Sequence, residues 1–148
     1  MANEKIATVV WQGKMAFAAS GSTAPQFTIP LDADEAVGGE NNGYRPLELL
    51  AIGLAGCTAM DVISILRKKK QDVTAFETEA RVTQGSEHPK VFNRITLTFR
   101  VTGHNVNPRA VARAIELSET KYCPASAMLG QTAEIVTQHE IIEAEPGA

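Results

Sequence analysis

The stretch Leu47-Glu48-Leu49-Leu50-Ala51-Ile52-Gly53-Leu54-Ala55-Gly56-Cys57-Thr58-Ala59-Met60-Asp61-Val62, continued by Ile63-Ser64-Ile65-Leu66, decides the fold class. Its apolar side chains cover nearly every face of a helix, and only Glu48 and Asp61 interrupt it. Pro46 suits the first turn, where its missing N–H has no intrahelical partner. Arg67-Lys68-Lys69-Lys70 follows, placing cations at the negative end of the helix dipole. A helix apolar on all sides is either a core helix or a membrane span. The uncharged stretch Leu49–Met60 is 12 residues long, well short of the roughly 20 that a spanning helix needs. The reading is a buried central helix.

Outward from that helix the pattern changes to strands. Lys5–Gln12, Met15–Ala19 and Gln26–Leu31 precede it, with Pro30 assigning the third to an edge or an end. Asp32–Tyr44 is acidic and glycine-rich and reads as a long loop, a type of segment that is often functional. After the helix, Val73–Thr83 and Val91–Thr102 alternate as a strand pair. Asn107-Pro108 is a helix start, with Asn as cap and Pro at the first position. Cys123-Pro124 opens a short second helix ended by Gly130, and Ala133–Ile142 is a last strand. The order is three strands, a buried helix, two strands, two helices and a strand.

The bulk properties narrow the function. At 148 residues the chain is read as a single domain, 1–148. A net charge of −3 offers no general attraction to nucleic acid or to an anionic membrane surface. The polar opening Met1-Ala2-Asn3-Glu4-Lys5 lacks the form of a secretory signal, so the cytoplasm is the expected compartment. His88, His104 and His139 have no ligand spacing, and two cysteines are too few for a tetrahedral zinc cage. No metal and no cofactor are expected.

Cys57 and Cys123 are the only cysteines. Each alone reads as a small buried apolar residue, a common use of the side chain. If the two meet in space, a dithiol that cycles to a disulfide is the natural alternative. Cys123 stands where a helix N-terminus would lower a thiol pKa, whereas Cys57 in mid-helix would need a cation from elsewhere. Gly53, Ala55 and Gly56 surround Cys57 with very small side chains. Close approach by a helix or ligand explains them, and so does tight core packing. Asp61, four residues after Cys57 and on its face, opposes thiolate formation and reads as structural.

Three segments together carry a resemblance: Arg45-Pro46-Leu47-Glu48-Leu49-Leu50, Gly56-Cys57-Thr58-Ala59-Met60-Asp61-Val62 and Tyr122-Cys123-Pro124-Ala125-Ser126. The chain resembles the osmotically inducible protein C and organic hydroperoxide resistance superfamily from about Ile6 to Ile142, in the branch marked by Cys57-Thr58-Ala59-Met60-Asp61-Val62. The resemblance implies an α+β, OsmC-like fold, an intertwined homodimer with two antiparallel sheets around paired central helices, and thiol-dependent peroxidase activity. It implies that Cys57 attacks an organic hydroperoxide and that Cys123 resolves the sulfenic acid to a disulfide, which an external dithiol reduces. Family peroxidases also use a glutamate ten residues before the first cysteine, holding an arginine against the thiolate. That position is Leu47 here. Glu48 and Arg45 are the available substitutes, with Lys14 as a fallback cation. The alternative is a non-catalytic OsmC-like protein whose cleft holds a small apolar ligand.

Overall fold

The computed structural model describes residues 3–147; Met1, Ala2 and Ala148, parts of the expected 1–148 domain, lie outside them. The chain divides into two compact units at Leu50/Ala51, a break inside the long helix.

The first unit is an antiparallel three-stranded sheet in the order β1 (Ala7–Gly13), β2 (Ala16–Gly21), β3 (Ile29–Leu31). The β1–β2 turn places Gly13 at φ +102° and Lys14 at φ +48°; glycine takes the first of these without the steric cost of a Cβ. Pro30 sits in the edge strand, where no N–H is missed. The loop that follows is ordered by Asp32, a buried residue. Its carboxylate accepts N–H bonds from Ala33, Glu40 and Asn42 at 2.7, 3.3 and 3.1 Å. Those donors, the Ala33 N–H foremost, hold the carboxyl below its usual range.

Helix α1 (Pro46–Lys68) starts with half of a capping box: Glu48, its third residue, accepts the Arg45 backbone N–H at 3.3 Å. Past its last residue Lys70 turns the chain at φ +58° while the Gln71 N–H closes on the Leu66 carbonyl at 3.0 Å. The sequence describes a helix buried all round, and the structure corrects this. One stripe is buried: Ala51, Leu54, Thr58, Val62 and Leu66. Leu50 and Ile52 are about half exposed, and Met60 is 74% exposed. A Cβ added at Gly53 or Gly56 would meet nothing within 4 Å. Tight packing within this chain is therefore not what those glycines serve.

The second unit holds the core. Strands β4 (Asp72–Gln84), β5 (Phe92–His104) and β6 (Glu134–Glu143) form a sheet in that order. The β4–β5 pair is antiparallel and the β5–β6 pair parallel, so the expectation of purely antiparallel sheets holds only for the first unit. A parallel pair needs a long crossover. Here it is α2 (Pro108–Leu117), a π-helical turn (Ser118–Tyr122) and α3 (Pro124–Leu129). Asn107 caps α2, accepting the Arg109 N–H at 2.9 Å. Leu54, Val62 and Leu66 of α1 join Ile95, Leu97, Phe99 and Val101 of β5 and Val111, Ala114 and Ile115 of α2 in one cluster.

Two outcomes test this architecture. Leu54→Ala deletes a fully buried side chain and should cost about 3 kcal/mol, read by urea denaturation; a cost below ~1 kcal/mol would contradict the stripe. His104 joins the ends of β4 and β6: Nδ1 meets Asp72 Oδ2 at 3.0 Å and Nε2 donates to the Glu145 carbonyl at 3.1 Å. The Glu145 carbonyl and then Asp72 raise its pKa above the ordinary value of 6.5. A raised folded pKa means stabilisation present below the unfolded value and lost as pH rises through the folded one. Thermal melts should lose that increment on moving from pH 5.5 to 8.5, and His104→Ala should remove the dependence.

Candidate active site

Cys57 sits on α1 one position before Thr58 of the buried stripe, at the margin of the core, and is half-buried. Thr58 can be buried in mid-helix because its hydroxyl donates to the carbonyls of Leu54 and Ala55, each at 3.1 Å. One turn on, Asp61 occupies the same margin. Cys123 comes from the crossover. Its residue is buried and caps α3, its Sγ accepting the Ser126 N–H at 3.3 Å, with Pro124 as the first helical position. The π-helical turn before it ends with the Cys123 N–H donating to the Ser118 carbonyl at 2.9 Å. Such turns recur at functional sites because they reset the phase of the chain by one residue.

These elements converge. The Cys57 and Cys123 sulfurs and one Asp61 carboxylate oxygen all lie within 4.8 Å of one another. Both thiols are free. Asp61 is fixed from the crossover side, Ser118 Oγ donating to its Oδ2 at 2.9 Å. Ser118 is thus bonded twice at this site, through its hydroxyl to Asp61 and through its carbonyl to Cys123.

Burial is the main influence on the Cys57 thiol and pushes its pKa up; the Cys123 thiol and the Asp61 charge push the same way, against the Ala125 N–H. The arrangement thus disfavours the Cys57 thiolate. Two thiols and a carboxylate are also donor types that zinc accepts, and this is the cluster of three such groups among the described residues. It is one short of a structural zinc set.

Arg45 and Glu48 have other occupations. The Arg45 guanidinium donates to Asn41 Oδ1 and, at 3.3 Å, to the Gly43 carbonyl, with Asp34 at 3.9 Å. Glu48 is the cap of α1 already described. Lys14 pairs with Glu40 at 3.5 Å. Each of these is engaged within the first unit. Asp61, which reads as structural in the sequence, is brought beside both thiols. Its spacing of four from Cys57 is the signal that identified its face, but Ser118, its partner, is far away in sequence.

A raised thiol pKa has a direct readout. Iodoacetamide labelling of Cys57 at pH 7, resolved by peptide mass spectrometry, should be slower than that of a free cysteine. It should rise with pH toward an inflection above the ordinary thiol value. Labelling faster than free cysteine would contradict this electrostatic picture.

Comparison with known proteins agrees with the fold. Residues 39–138 match the OsmC-like protein family. The chain is 34% identical over 138 residues to protein YhfA of Escherichia coli K12, covering 93% of this chain and 98% of that one. A crystal structure of a protein from Aquifex aeolicus VF5 superposes with a TM-score of 0.83 at 25% identity, covering 97% of this chain and 100% of the other. The organic hydroperoxide resistance protein OsmC of Legionella pneumophila shares the fold at a TM-score of 0.67 and 14% identity, over 97% and 99% of the two chains. The chain belongs to the OsmC-like family, with the α+β fold of that family.

Proposed function

We propose that this protein is a thiol-dependent peroxidase that reduces organic hydroperoxides through a Cys57/Cys123 dithiol–disulfide cycle. The observation that carries the reading is the convergence of its two free thiols at the margin of one apolar core. In the first step the Cys57 sulfur attacks the terminal peroxide oxygen. The O–O bond breaks, the alcohol leaves, and Cys57 becomes a sulfenic acid. Cys123 then condenses with it, releasing water and forming the disulfide. An external dithiol returns both thiols by exchange. No cofactor or metal enters this scheme. A dithiol that must be re-reduced fits the cytoplasm, where thiols are kept reduced.

The raised pKa of Cys57 and Leu47 in the glutamate position favour a second reading, a non-catalytic protein that holds a small apolar ligand. Thiolate content sets peroxide reactivity, so the measured rate separates the two. In stopped-flow assays with an alkyl hydroperoxide, Cys57→Ser should abolish consumption. Cys123→Ser should complete one round and leave a trappable sulfenic acid. Wild-type oxidation no faster than that of a free thiol would sink the enzyme reading.

The reading includes a homodimer and excludes nucleic acid and membrane as partners. Leu50, Ile52 and Met60 leave α1 with an apolar outer face, and Gly53 and Gly56 leave room on it for a close neighbour. In β1, Val9, Val10 and Trp11 are more than half exposed on both faces of the strand. Monomeric soluble proteins rarely leave such surface uncovered. A membrane is a poor cover for α1, because its other stripe is committed to the core of the second unit. Sedimentation at micromolar concentration should give a dimer, and a well-behaved monomer would overturn this.

A further inference from the structure

Closing a disulfide moves protons as well as electrons. As Cys123 displaces hydroxide from a Cys57 sulfenic acid, the S–S bond forms and the S–O bond breaks. The Cys123 thiol must lose a proton and the leaving hydroxide must gain one, so that water departs. On reduction by an external dithiol, the protein sulfur that leaves as a thiolate must be protonated in turn. A group that carries these protons has to reach both sulfurs, directly or through one water.

Asp61 is such a group. One of its carboxylate oxygens lies within 4.8 Å of both sulfurs. It stands in the middle of α1, far from either end, so it caps nothing. Its place also works against the first step, since a carboxylate beside a thiol disfavours the thiolate. A residue that hinders nucleophilic attack and caps no helix needs another use. Ser118 holds it in place from the opposite element, buried and bonded at 2.9 Å. The same residue's carbonyl fixes the Cys123 backbone.

We propose that Asp61 is the proton carrier of the dithiol, taking the proton from the attacking thiol and delivering it to the leaving group, and that Ser118 is the residue that positions it. This deepens the peroxidase reading and rests on Cys57 and Cys123 being a redox pair.

The test exploits the hydrogen bond. Asp61→Asn can still accept from Ser118 Oγ, so a purely structural tether survives while proton transfer is lost. The protein is oxidised to the disulfide, and its reduction by dithiothreitol is followed by rapid quench from pH 5.5 to 9. Closure from the sulfenic acid is followed in parallel. Asp61→Asn should be about a hundredfold slower than wild type near neutral pH. The two should converge at alkaline pH, where solvent hydroxide takes over. Asp61→Glu should recover part of the loss. Ser118→Ala, which keeps the carboxylate but frees it, should slow both steps less than Asp61→Asn while keeping the wild-type pH profile, and it carries the test should Asp61→Asn fail to fold. Asp61→Asn with wild-type rates and profile would overturn this inference alone, as would Ser118→Ala with wild-type rates. A wild-type protein that forms no disulfide with either an alkyl hydroperoxide or diamide would overturn the redox reading and this inference together.

Discussion

Burial of a single stripe of α1, running through Leu54, Thr58, Val62 and Leu66, is the constraint on which the rest of the structure depends. It decides the surroundings of every other residue on that helix. A cysteine on the stripe would be sealed in the core, and one on the opposite face would stand in solvent. Cys57 and Asp61 each precede a stripe residue by one position, a rotation of about 100°. They therefore lie at the boundary, where a side chain is dehydrated yet within reach of other groups. That boundary is where an ordinary cysteine acquires a raised pKa, and where a carboxylate and a thiol can be held together.

The second constraint is topological. Because β6 runs parallel to β5, the chain between them must travel back along the sheet before it can pair. The return journey is made by α2, the π-helical turn and α3, and it carries Ser118 and Cys123 to the margin of α1. The meeting of two cysteines so distant in sequence is thus a result of strand direction. Had β6 joined β5 by a hairpin, there would be no crossover to bring the second thiol.

Much of this was legible in the residues. Asn107-Pro108 and Cys123-Pro124 mark helix starts through local chemistry, a side chain that caps and a proline with no N–H to satisfy. Those starts fall where the sequence places them. Strand direction was harder, because alternation is the same in parallel and antiparallel pairs. The clue was the two helices between Thr102 and Ala133, which already imply a crossover. The exposure of α1 could not be read at all. A helix apolar on every side says that all its faces need cover, and does not say whether this chain or another supplies it. Ser118 is silent for a similar reason: a serine at the end of an amphipathic helix has no local signature of the carboxylate it will meet. Arg45 and Glu48 are the opposite, local case: neighbours at spacing three meet through the backbone, in a cap.

The crossover has a further consequence, in the mechanics of unfolding. Cys57 and Cys123 belong to two elements that have no covalent link other than the main chain between them, a span of roughly 65 residues. A bond between their sulfurs would close that span into a ring containing all of β4, β5 and α2. Closing a ring of that size removes about 4 kcal/mol worth of freedom from the unfolded chain in the chain-entropy description. A protein with that bond would be the more rigid and heat-resistant form, and making and breaking it would tighten and then relax the core that holds α1 to its sheet.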